Sequence, residues 1–234
     1  MRERQTSGRL CIFVGPPGSG KGSISYLCQQ KLGFTPLSTG DLCRWHISQM
    51  TPLGQVIDLA IKSGKLVPDE LITDMVGRWL EEQTAGEPRG IIFDGFPRTV
   101  AQARALSAFL IQKVSQLDPL VVRFKVADET VVRRLAGRYV CTNKKCQRVY
   151  SALPGSSFAP RGGLQCDECG GELARRPDDE ETLVRERLRI YYEHEKPLVE
   201  ECRQAGWPLV ELDVERAPEE VFENLKRVTG FVGA

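Results

Sequence analysis

The chain contains 234 residues, with 32 Lys and Arg against 31 Asp and Glu, so its formal charge is +1. A composition of 41% hydrophobic and 27% charged residues is typical of a globular protein of one or two domains. The near-zero net charge gives no electrostatic reason to expect nucleic acid as a partner, and no apolar run approaches the ~20 residues that span a bilayer. The first residues lack the apolar core of a secretory signal, so we expect a cytoplasmic protein without a membrane partner.

The predicted elements begin with a short apolar strand over 10–14, which a glycine-rich turn joins to a helix over 21–32. Two further helical stretches cover 41–49 and 51–63. Pro68 and the two acidic residues after it open another helix, because proline and acids favour the first helical turn.

The remaining predicted elements alternate between strands and helices. In chain order they are a strand over 90–94, a helix over 99–116, a strand over 120–126, a helix over 129–137, a strand over 209–212 and a helix over 218–228. Such alternation predicts an α/β fold with a parallel sheet that helices cover on both faces.

The glycine-rich turn is the strongest local signal for function, with the sequence GPPGSGKGS over 15–23. Its glycines allow backbone N–H groups to surround an anion, and the following helix adds the positive end of its dipole. Lys21 can then reach the outer phosphates of a nucleotide. In the standard pattern Ser or Thr follows this lysine directly, whereas here Gly22 precedes Ser23.

Charged residues follow the predicted strands at the edge where α/β sheets bind ligands. Asp94 ends an apolar strand, where its carboxylate suits the water ligands of nucleotide-bound Mg²⁺. Phosphoryl transfer also needs cations that hold several phosphates in line. Six arginines are candidates for this role, namely Arg44, Arg98, Arg134, Arg138, Arg176 and Arg187.

The segment 138–176 interrupts the alternation and contains four clustered cysteines, Cys141, Cys146, Cys166 and Cys169. Four residues separate the first pair and two separate the second, a spacing that predicts a closed, structural Zn²⁺ site. Without a secretory signal, metal ligation is expected rather than disulfide bonding. The other cysteines, among them Cys43 and Cys202, are expected to be small buried hydrophobic residues.

In their order and spacing these motifs resemble those of adenylate kinases of the long-lid, zinc-bearing type. The residues that carry the resemblance are GPPGSGKGS at 15–23, LSTGD at 37–41, GKLVPDEL at 64–71, DGFPRT at 94–99, GR at 137–138 and RPDD at 176–179. Two positions depart from the family pattern, in which two residues more usually separate the first cysteines and a histidine commonly follows Tyr150 in place of Ser151.

The resemblance implies a P-loop NTPase-like core of residues 1–37, 68–136 and 177–234. It further implies a helical, nucleoside-monophosphate-binding segment over 38–67 and an inserted, zinc-ribbon-like lid over 137–176. We refer to these two parts as the monophosphate segment and the lid segment.

The resemblance also implies roles for individual residues. The implied ATP-binding residues are Gly18, Ser19, Gly20, Lys21, Gly22, Ser23, Arg134, Arg138, Val149, Tyr150 and Arg216. The implied AMP-binding residues are Thr39, Arg44, Lys65, Leu66, Val67, Gly95, Phe96, Pro97, Arg98, Gln102, Arg176 and Arg187, with Gln102 reading the adenine edge. The implied catalytic residues are Lys21, Asp94, Arg98, Arg138, Arg176 and Arg187, and the metal ligands are the four clustered cysteines. Asp178 and Asp179 correspond to hinge carboxylates of the lid.

The leading hypothesis is the reaction ATP + AMP ⇌ 2 ADP in a monomeric enzyme that uses Mg²⁺. The lid would close over both nucleotides and exclude water. No Ser-His-Asp or Cys-His arrangement indicates a covalent intermediate, so we expect direct in-line transfer. His46 and His194 lie in helical stretches away from every motif and are expected to be surface or packing residues.

Three other functions stay open at this point. A kinase for CMP or UMP would differ in the preferred monophosphate. A zinc-ribbon ATPase that binds nucleic acid would place Lys144, Lys145, Arg148 and Arg161 on phosphates and lose affinity steeply with salt. A nucleotide sensor would bind ATP without transferring its phosphate.

Overall fold

The computed structural model describes residues 8–62, 67–85, 90–114 and 116–231. The strands are β1 (Gly8–Val14), β2 (Thr35–Ser38), β3 (Gly90–Asp94), β4 (Leu117–Lys125), β5 (Arg138–Cys141), β6 (Val149–Ser151), β7 (Leu173–Ala174) and β8 (Leu209–Asp213). The helices are α1 (Lys21–Leu32), α2 (Thr39–Ser48), α3 (Pro52–Lys62), α4 (Asp69–Thr84), α5 (Val100–Lys113), α6 (Asp128–Ala136), α7 (Glu181–Gln204) and α8 (Pro218–Thr229). A short 3-10 helix, Pro177–Asp179, precedes α7.

The central sheet has five parallel strands in the order β2-β3-β1-β4-β8. Successive side chains of β1 point to opposite faces, so Leu10 and Ile12 lie in one hydrophobic core and Cys11 and Phe13 in another. Helices α4, α5 and α7 contribute to the first core, and α1 and α8 contribute to the second. Because both faces are buried, the strand sequence is continuously apolar. The predicted parallel sheet flanked by helices is confirmed.

Outside the lid segment, strand β2 and most of helix α7 are absent from the sequence prediction, which gave only a helical stretch around His194. Strand β2 contains Pro36 and lies at one edge of the sheet, where a residue without a backbone N–H is tolerated. Helix α7 spans 24 residues and includes Pro197. Its buried residues Val184, Leu188, Leu198 and Cys202 recur at helical spacing on one face.

Some boundaries also differ from the prediction. The helix expected over 41–49 begins at Thr39, because the Ser38 side chain accepts a hydrogen bond of 3.2 Å from the Asp41 N–H. The helix expected over 99–116 ends at Lys113. Strand β4 begins at Leu117 and includes Pro119, which has no backbone N–H to donate. This is tolerated because β8 pairs with β4 only from Val121 onward, so Pro119 has no partner strand on that side. The predicted end of the helix over 51–63 lies outside the described residues.

A second, smaller sheet is formed within the lid segment. Its three strands are antiparallel in the order β6-β5-β7, with Val140 opposite both Val149 and Ala174. The clustered cysteines lie on and around this sheet, which agrees with a zinc-ribbon-like lid. Among the helices of the described residues, none combines the length and the apolar character needed to cross a bilayer.

Candidate functional site

The phosphate loop connects the carboxyl end of β1 to the first residue of α1. Gly18 and Gly20 have φ angles of 76° and 96°, a region that side-chain-bearing residues rarely adopt. A Cβ atom on Gly18 would lie 2.7 Å from Cγ of Leu135, so the loop also needs glycine for its close approach to α6. The Lys21 ammonium folds back over the loop and donates to the carbonyls of Gly15 at 2.8 Å and Pro16 at 2.9 Å.

The charges of Lys21 and Asp94 influence each other at this edge of the sheet. Burial lowers the pKa of Lys21 to about 8, although the charge of Asp94 opposes this shift. Burial likewise raises the pKa of Asp94, and Lys21 opposes that shift. A Cβ on Gly22 would lie 3.5 Å from Oδ2 of Asp94, so the residue that departs from the standard loop pattern lies directly against this carboxylate.

The turn after β3 is tied to the start of α2. The Gly95 carbonyl accepts hydrogen bonds from the Thr39 hydroxyl at 2.9 Å and from Nε of Arg98 at 2.8 Å. Gly95 has a φ of 87°, and a Cβ there would lie 2.7 Å from Nη2 of Arg98. Glycine at this position therefore allows the Arg98 guanidinium to lie back against the turn.

Gln102 is buried in the first turn of α5, and its side chain joins three elements. Its Oε1 accepts a hydrogen bond of 2.7 Å from the Arg98 N–H, and its Nε2 donates to Oδ1 of Asp69 at 2.7 Å. The amide expected to read a base is thus held by the β3–α5 turn on one side and by α4 on the other.

The hinge carboxylates pair with two of the predicted arginines. The Arg138 guanidinium donates to both carboxylate oxygens of buried Asp179, at 2.7 and 2.5 Å. Arg187 lies 3.0 Å from Oδ2 of Asp178 and donates to the Asp178 carbonyl at 2.9 Å. These contacts fix arginines from β5 and α7 around one short helix.

Arg44 and Arg176 have unused hydrogen-bond donors. Arg44 pairs with Asp41, and Nη2 of Arg176 lies 3.7 Å from the same carboxylate. The Nε atoms of Arg44 and Arg176 are buried and have no hydrogen-bond partner within the described part of the chain. Burial, together with the charges of Arg44 and Arg138, lowers the pKa of Arg176 to about 10. Crowded cations with unmet donors are typical of a site for a multiply charged anion.

A cavity of about 810 Å³, the central cavity, lies between the phosphate loop, α2, α7 and the lid segment. Every predicted nucleotide-binding or catalytic residue that the structure describes lines it, except Phe96. The Phe96 side chain is instead buried in the core against Phe93. The predicted residues Lys65 and Leu66 lie outside the described residues.

Helix α7 contributes cavity residues that the sequence analysis missed. His194, expected away from the site, lines the cavity together with Tyr191 and Ile190. The signal was the helical spacing of residues 190, 191, 194 and 198 after Arg187, which places them on one face of a helix. This face could have been recognised once α7 was predicted as a continuous helix.

The lid segment contacts both the core and the monophosphate segment. The Arg148 guanidinium carbon lies 3.3 Å from the ring centroid of Tyr26 on α1, a cation–π contact. Lys144, from the loop between the first two cysteines, donates to the carbonyl of Ser48 at the end of α2 at 3.1 Å. The lid segment therefore lies over the central cavity and bridges its two sides.

The four clustered cysteines have the arrangement that a tetrahedral metal needs. Their sulfur atoms all lie within 4.8 Å of one another, with Cys141 and Cys169 at 3.4 Å and Cys146 and Cys166 at 3.6 Å. Disulfide sulfurs would be about 2.05 Å apart, whereas a Zn–S bond of about 2.3 Å places tetrahedral sulfurs about 3.8 Å apart. The donor set and its spacing fit Zn²⁺, and the longer first loop keeps both of its cysteines in the cluster.

Hydrogen bonds favour the thiolate form of Cys166. The Tyr150 hydroxyl lies 3.3 Å from Sγ of Cys166 and accepts a hydrogen bond of 2.7 Å from the Asp167 N–H. Burial alone would raise the pKa of Cys166, but the bonds from Tyr150 and from the backbone lower it to about 6. Tyr150 thus supports the cysteine cluster and is also one of the residues that line the central cavity.

Comparison with known proteins gives one consistent family. A sequence profile of the family described as adenylate kinase matches residues 13–206. A protein called adenylate kinase from Fervidobacterium nodosum is 39% identical over 219 residues, which cover 94% of this chain and 96% of the relative. Proteins of the same name from Clostridium tetani and Archaeoglobus fulgidus are 38% and 37% identical, over 94% and 93% of this chain and 98% and 96% of their own lengths.

Proposed function

The chain belongs to the adenylate kinase family, and from this premise we propose that it transfers the γ-phosphoryl group of ATP to AMP and releases two ADP. As a member of this family it is a nucleoside monophosphate kinase. The preference for ATP as donor and AMP as acceptor depends on the residues of the site and can be tested directly.

The observation that carries the proposal is the concentration of cationic side chains around one cavity. The residues concerned are Lys21, Arg44, Arg98, Arg138, Arg176 and Arg187. Like charges that lie close together repel one another unless anions neutralise them, and the unpartnered, buried Nε atoms of Arg44 and Arg176 leave donors for such anions. Cations that are in place before the reaction stabilise the charge on a transferring phosphoryl group without rearrangement.

On the donor side, residues 18–23 would hold the ATP phosphates through backbone N–H groups and the Lys21 ammonium. Arg134 donates to the Ser19 and Val214 carbonyls at 3.4 and 2.6 Å, which supports a place beside the ATP base and ribose. Val149 and Tyr150 would contact ATP from the lid segment, and the Arg216 carbonyl would meet the adenine.

On the acceptor side, Arg44 and Arg98 would bind the AMP phosphate, and Gln102 would contact the base. Thr39, Val67 and the Gly95–Pro97 turn would complete this pocket, together with Lys65 and Leu66 outside the described residues. Arg138, Arg176 and Arg187 would lie between the two nucleotides and contact the reacting phosphates.

In this proposal the parts of the chain have the roles that the resemblance implies. The core of residues 1–37, 68–136 and 177–234 would bind ATP, the monophosphate segment 38–67 would bind AMP, and the lid segment 137–176 would close over both. The contacts of Arg148 with Tyr26 and of Lys144 with Ser48 support such closure. Exclusion of water matters because water would otherwise accept the phosphoryl group.

Asp94 is the residue that fits a nucleotide-bound Mg²⁺. Asp94 is half-buried beside the phosphate loop, and desolvation of its carboxylate raises its pKa, so that a nearby cation would favour the charged form. Bound Mg²⁺ supplies neutralisation of charge on the transferring phosphates. Asp94 would orient the water ligands of the ion, while Gly22 leaves space for this carboxylate next to α1.

Zn²⁺ at the four-cysteine cluster would have a structural role. Four thiolates leave no coordination position open for substrate, and the cluster holds β5 and β7 to the loops around them. Binding of the metal would therefore stabilise the lid segment.

The nucleic-acid alternative receives less support from the described contacts. Of the basic residues it requires, Arg148 stacks on Tyr26 and Lys144 bonds to the Ser48 carbonyl. These side chains are engaged within the chain itself. A kinase that prefers CMP or UMP would differ from an AMP kinase only in its contacts with the base, so an assay of the different acceptors distinguishes the two.

The decisive experiment is an assay of ADP formation from ATP with AMP, CMP, UMP and GMP in parallel, together with elemental analysis of the same protein. We expect AMP to be phosphorylated fastest and one zinc to be bound per chain. Faster turnover of CMP or UMP would contradict the acceptor assignment. ATP binding without transfer to any monophosphate would instead identify a nucleotide sensor.

A further inference from the structure

Asp69 is a carboxylate that the phosphate-binding chemistry does not use. It is the first residue of α4 and lies behind the wall of the central cavity, which Gln102 lines in front of it. We propose that Asp69 is a positioning residue that fixes the Gln102 amide in the orientation that recognises adenine. The inference rests on the proposed function, because it concerns the base of the monophosphate in the same site.

The orientation of an amide is set by partners that can only donate or only accept. Rotation by 180° exchanges the oxygen and nitrogen of a glutamine side chain, so shape alone does not decide between the two states. Here the Arg98 N–H can only donate and the Asp69 carboxylate can only accept. Both hydrogen bonds, at 2.7 Å each, form in one orientation and are lost in the other.

The carboxylate that sets this orientation is itself held in place. Its second oxygen, Oδ2, accepts a hydrogen bond of 2.9 Å from the Thr99 hydroxyl. The same hydroxyl accepts from the backbone N–H of Gln102 at 3.2 Å and so caps α5. Asp69, Thr99 and Gln102 therefore form a closed ring of hydrogen bonds between α4 and α5.

The fixed amide presents a defined pattern to a ligand. A glutamine amide has two N–H donors and two oxygen lone pairs, and the protein uses one of each. One donor and one acceptor are left, which match the acceptor N1 and the donor N6 of adenine. Hypoxanthine presents a donor at N1 and an acceptor at O6, so the amide in this orientation discriminates against IMP.

The test compares Asp69→Ala with wild type for AMP and IMP as acceptors. We expect the KM for AMP to rise about tenfold and the preference for AMP over IMP to fall by a similar factor, because the amide is no longer fixed. The KM for ATP should stay close to wild type. Asp69→Asn keeps an acceptor for Gln102 and can donate to Thr99, so it should restore the AMP preference.

Two controls separate this role from other effects. Glu70→Ala removes a neighbouring acidic charge from the same helical turn, but Glu70 is exposed, so this variant should leave the AMP preference unchanged. On a Gln102→Ala background, Asp69→Ala should cause no further loss. If Asp69→Ala does not fold, Asp69→Ser takes its place, since its hydroxyl is too short to reach Gln102.

The outcomes are distinct. An unchanged ratio of AMP to IMP in Asp69→Ala, or a full additional loss on the Gln102→Ala background, would overturn the positioning role while wild type still phosphorylates AMP. Wild-type protein that does not phosphorylate AMP would refute the proposed function itself. An equal loss in Asp69→Asn and Asp69→Ala would also overturn the inference, because it would assign the effect to charge.

Discussion

At the scale of the residue, Lys21 shows how the phosphate loop holds a half-buried ammonium in place for its ligand. Its ammonium bonds to the carbonyls of Gly15 and Pro16, at 2.8 and 2.9 Å, so the loop itself holds the side chain. Desolvation favours the neutral form of the Lys21 side chain and lowers its pKa, whereas the negative charge of Asp94 favours the ammonium form. Phosphates bound in the loop would add negative charge near this lysine and so stabilise its ammonium form.

Lys21→Met should lower kcat by about a hundredfold or more, because a cation that acts on the transferring phosphates is lost. The melting temperature should change little, since methionine fills similar space and the position is only half-buried. Steady-state assays and thermal melts of the variant measure both effects. Lys31→Met, at an exposed position of the same helix, is the matched control, and near-normal kcat in Lys21→Met would refute the role.

The lowered pKa of Lys21 also predicts the pH dependence of activity. As pH rises through about 8, free enzyme loses the ammonium proton, so kcat/KM for ATP should fall above this pH. Bound phosphates favour the charged form, so kcat should hold to higher pH. For stability the sign is opposite: between about 8 and 10.5 the unfolded chain binds the extra proton, and this group makes stability rise with pH. A flat profile of kcat/KM up to about pH 9.5 would contradict the assignment.

At the scale of the element, the apolar strands were predictable, whereas the length and the bounds of the polar helix α7 were not predicted. The interiors of β1, β3 and β4 are buried on both faces, and strands buried in this way consist of consecutive apolar residues that can be recognised in the sequence. Helix α7 mixes buried residues with many charges, and its periodic face was overlooked beside the inserted cysteine segment. The orientation of Gln102 was beyond a sequence argument, because it depends on Asp69 from another helix. The motifs located the site, and tertiary contacts determine how its side chains are held.

The small lid sheet buries little apolar surface, so the cysteine cluster should dominate its stability. Among its described residues the buried set consists of Cys141, Tyr150, Cys166 and Leu173. Cys166→Ser should release the metal and lower the melting temperature, since removal of one thiolate opens the tetrahedral site. Elemental analysis and thermal melts with and without chelator measure this. As a control, Cys202→Ser alters a buried thiol outside the cluster and should retain the metal. If Cys166→Ser melts at the same temperature as wild type, the zinc is not structural.

At the scale of the whole molecule, the lid segment is attached to the core by contacts far from its hinge. Arg148 lies over the ring of Tyr26, and Phe158 of the lid segment packs edge-on against the same ring at 6.2 Å between centroids. Such contacts act only when the lid segment lies over the core. They therefore contribute to the balance between open and closed arrangements.

Arg148→Ala should raise the KM for ATP by about fivefold, because a partly desolvated cation–π contact contributes roughly 1 kcal/mol to the closed arrangement. Initial rates over a range of ATP concentrations measure this effect. Arg161→Ala removes an exposed arginine of the same segment and should have little effect. In a double-mutant cycle Tyr26→Ala and Arg148→Ala should be non-additive; fully additive effects would show that the two side chains do not act together.

Three carboxylates, one on α2 and two on the short helix before α7, have a further consequence for the arginines of the site. Asp41, Asp178 and Asp179 each pair with arginines that are proposed to bind phosphates. They neutralise part of the positive charge of the site and so limit the repulsion among its cations. Binding is then an exchange of one anion for another, and an incoming phosphate competes with a side chain that the chain itself supplies. These carboxylates allow the protein to fold around a strongly cationic site. Under the proposed function they would pair with the arginines again as the products leave.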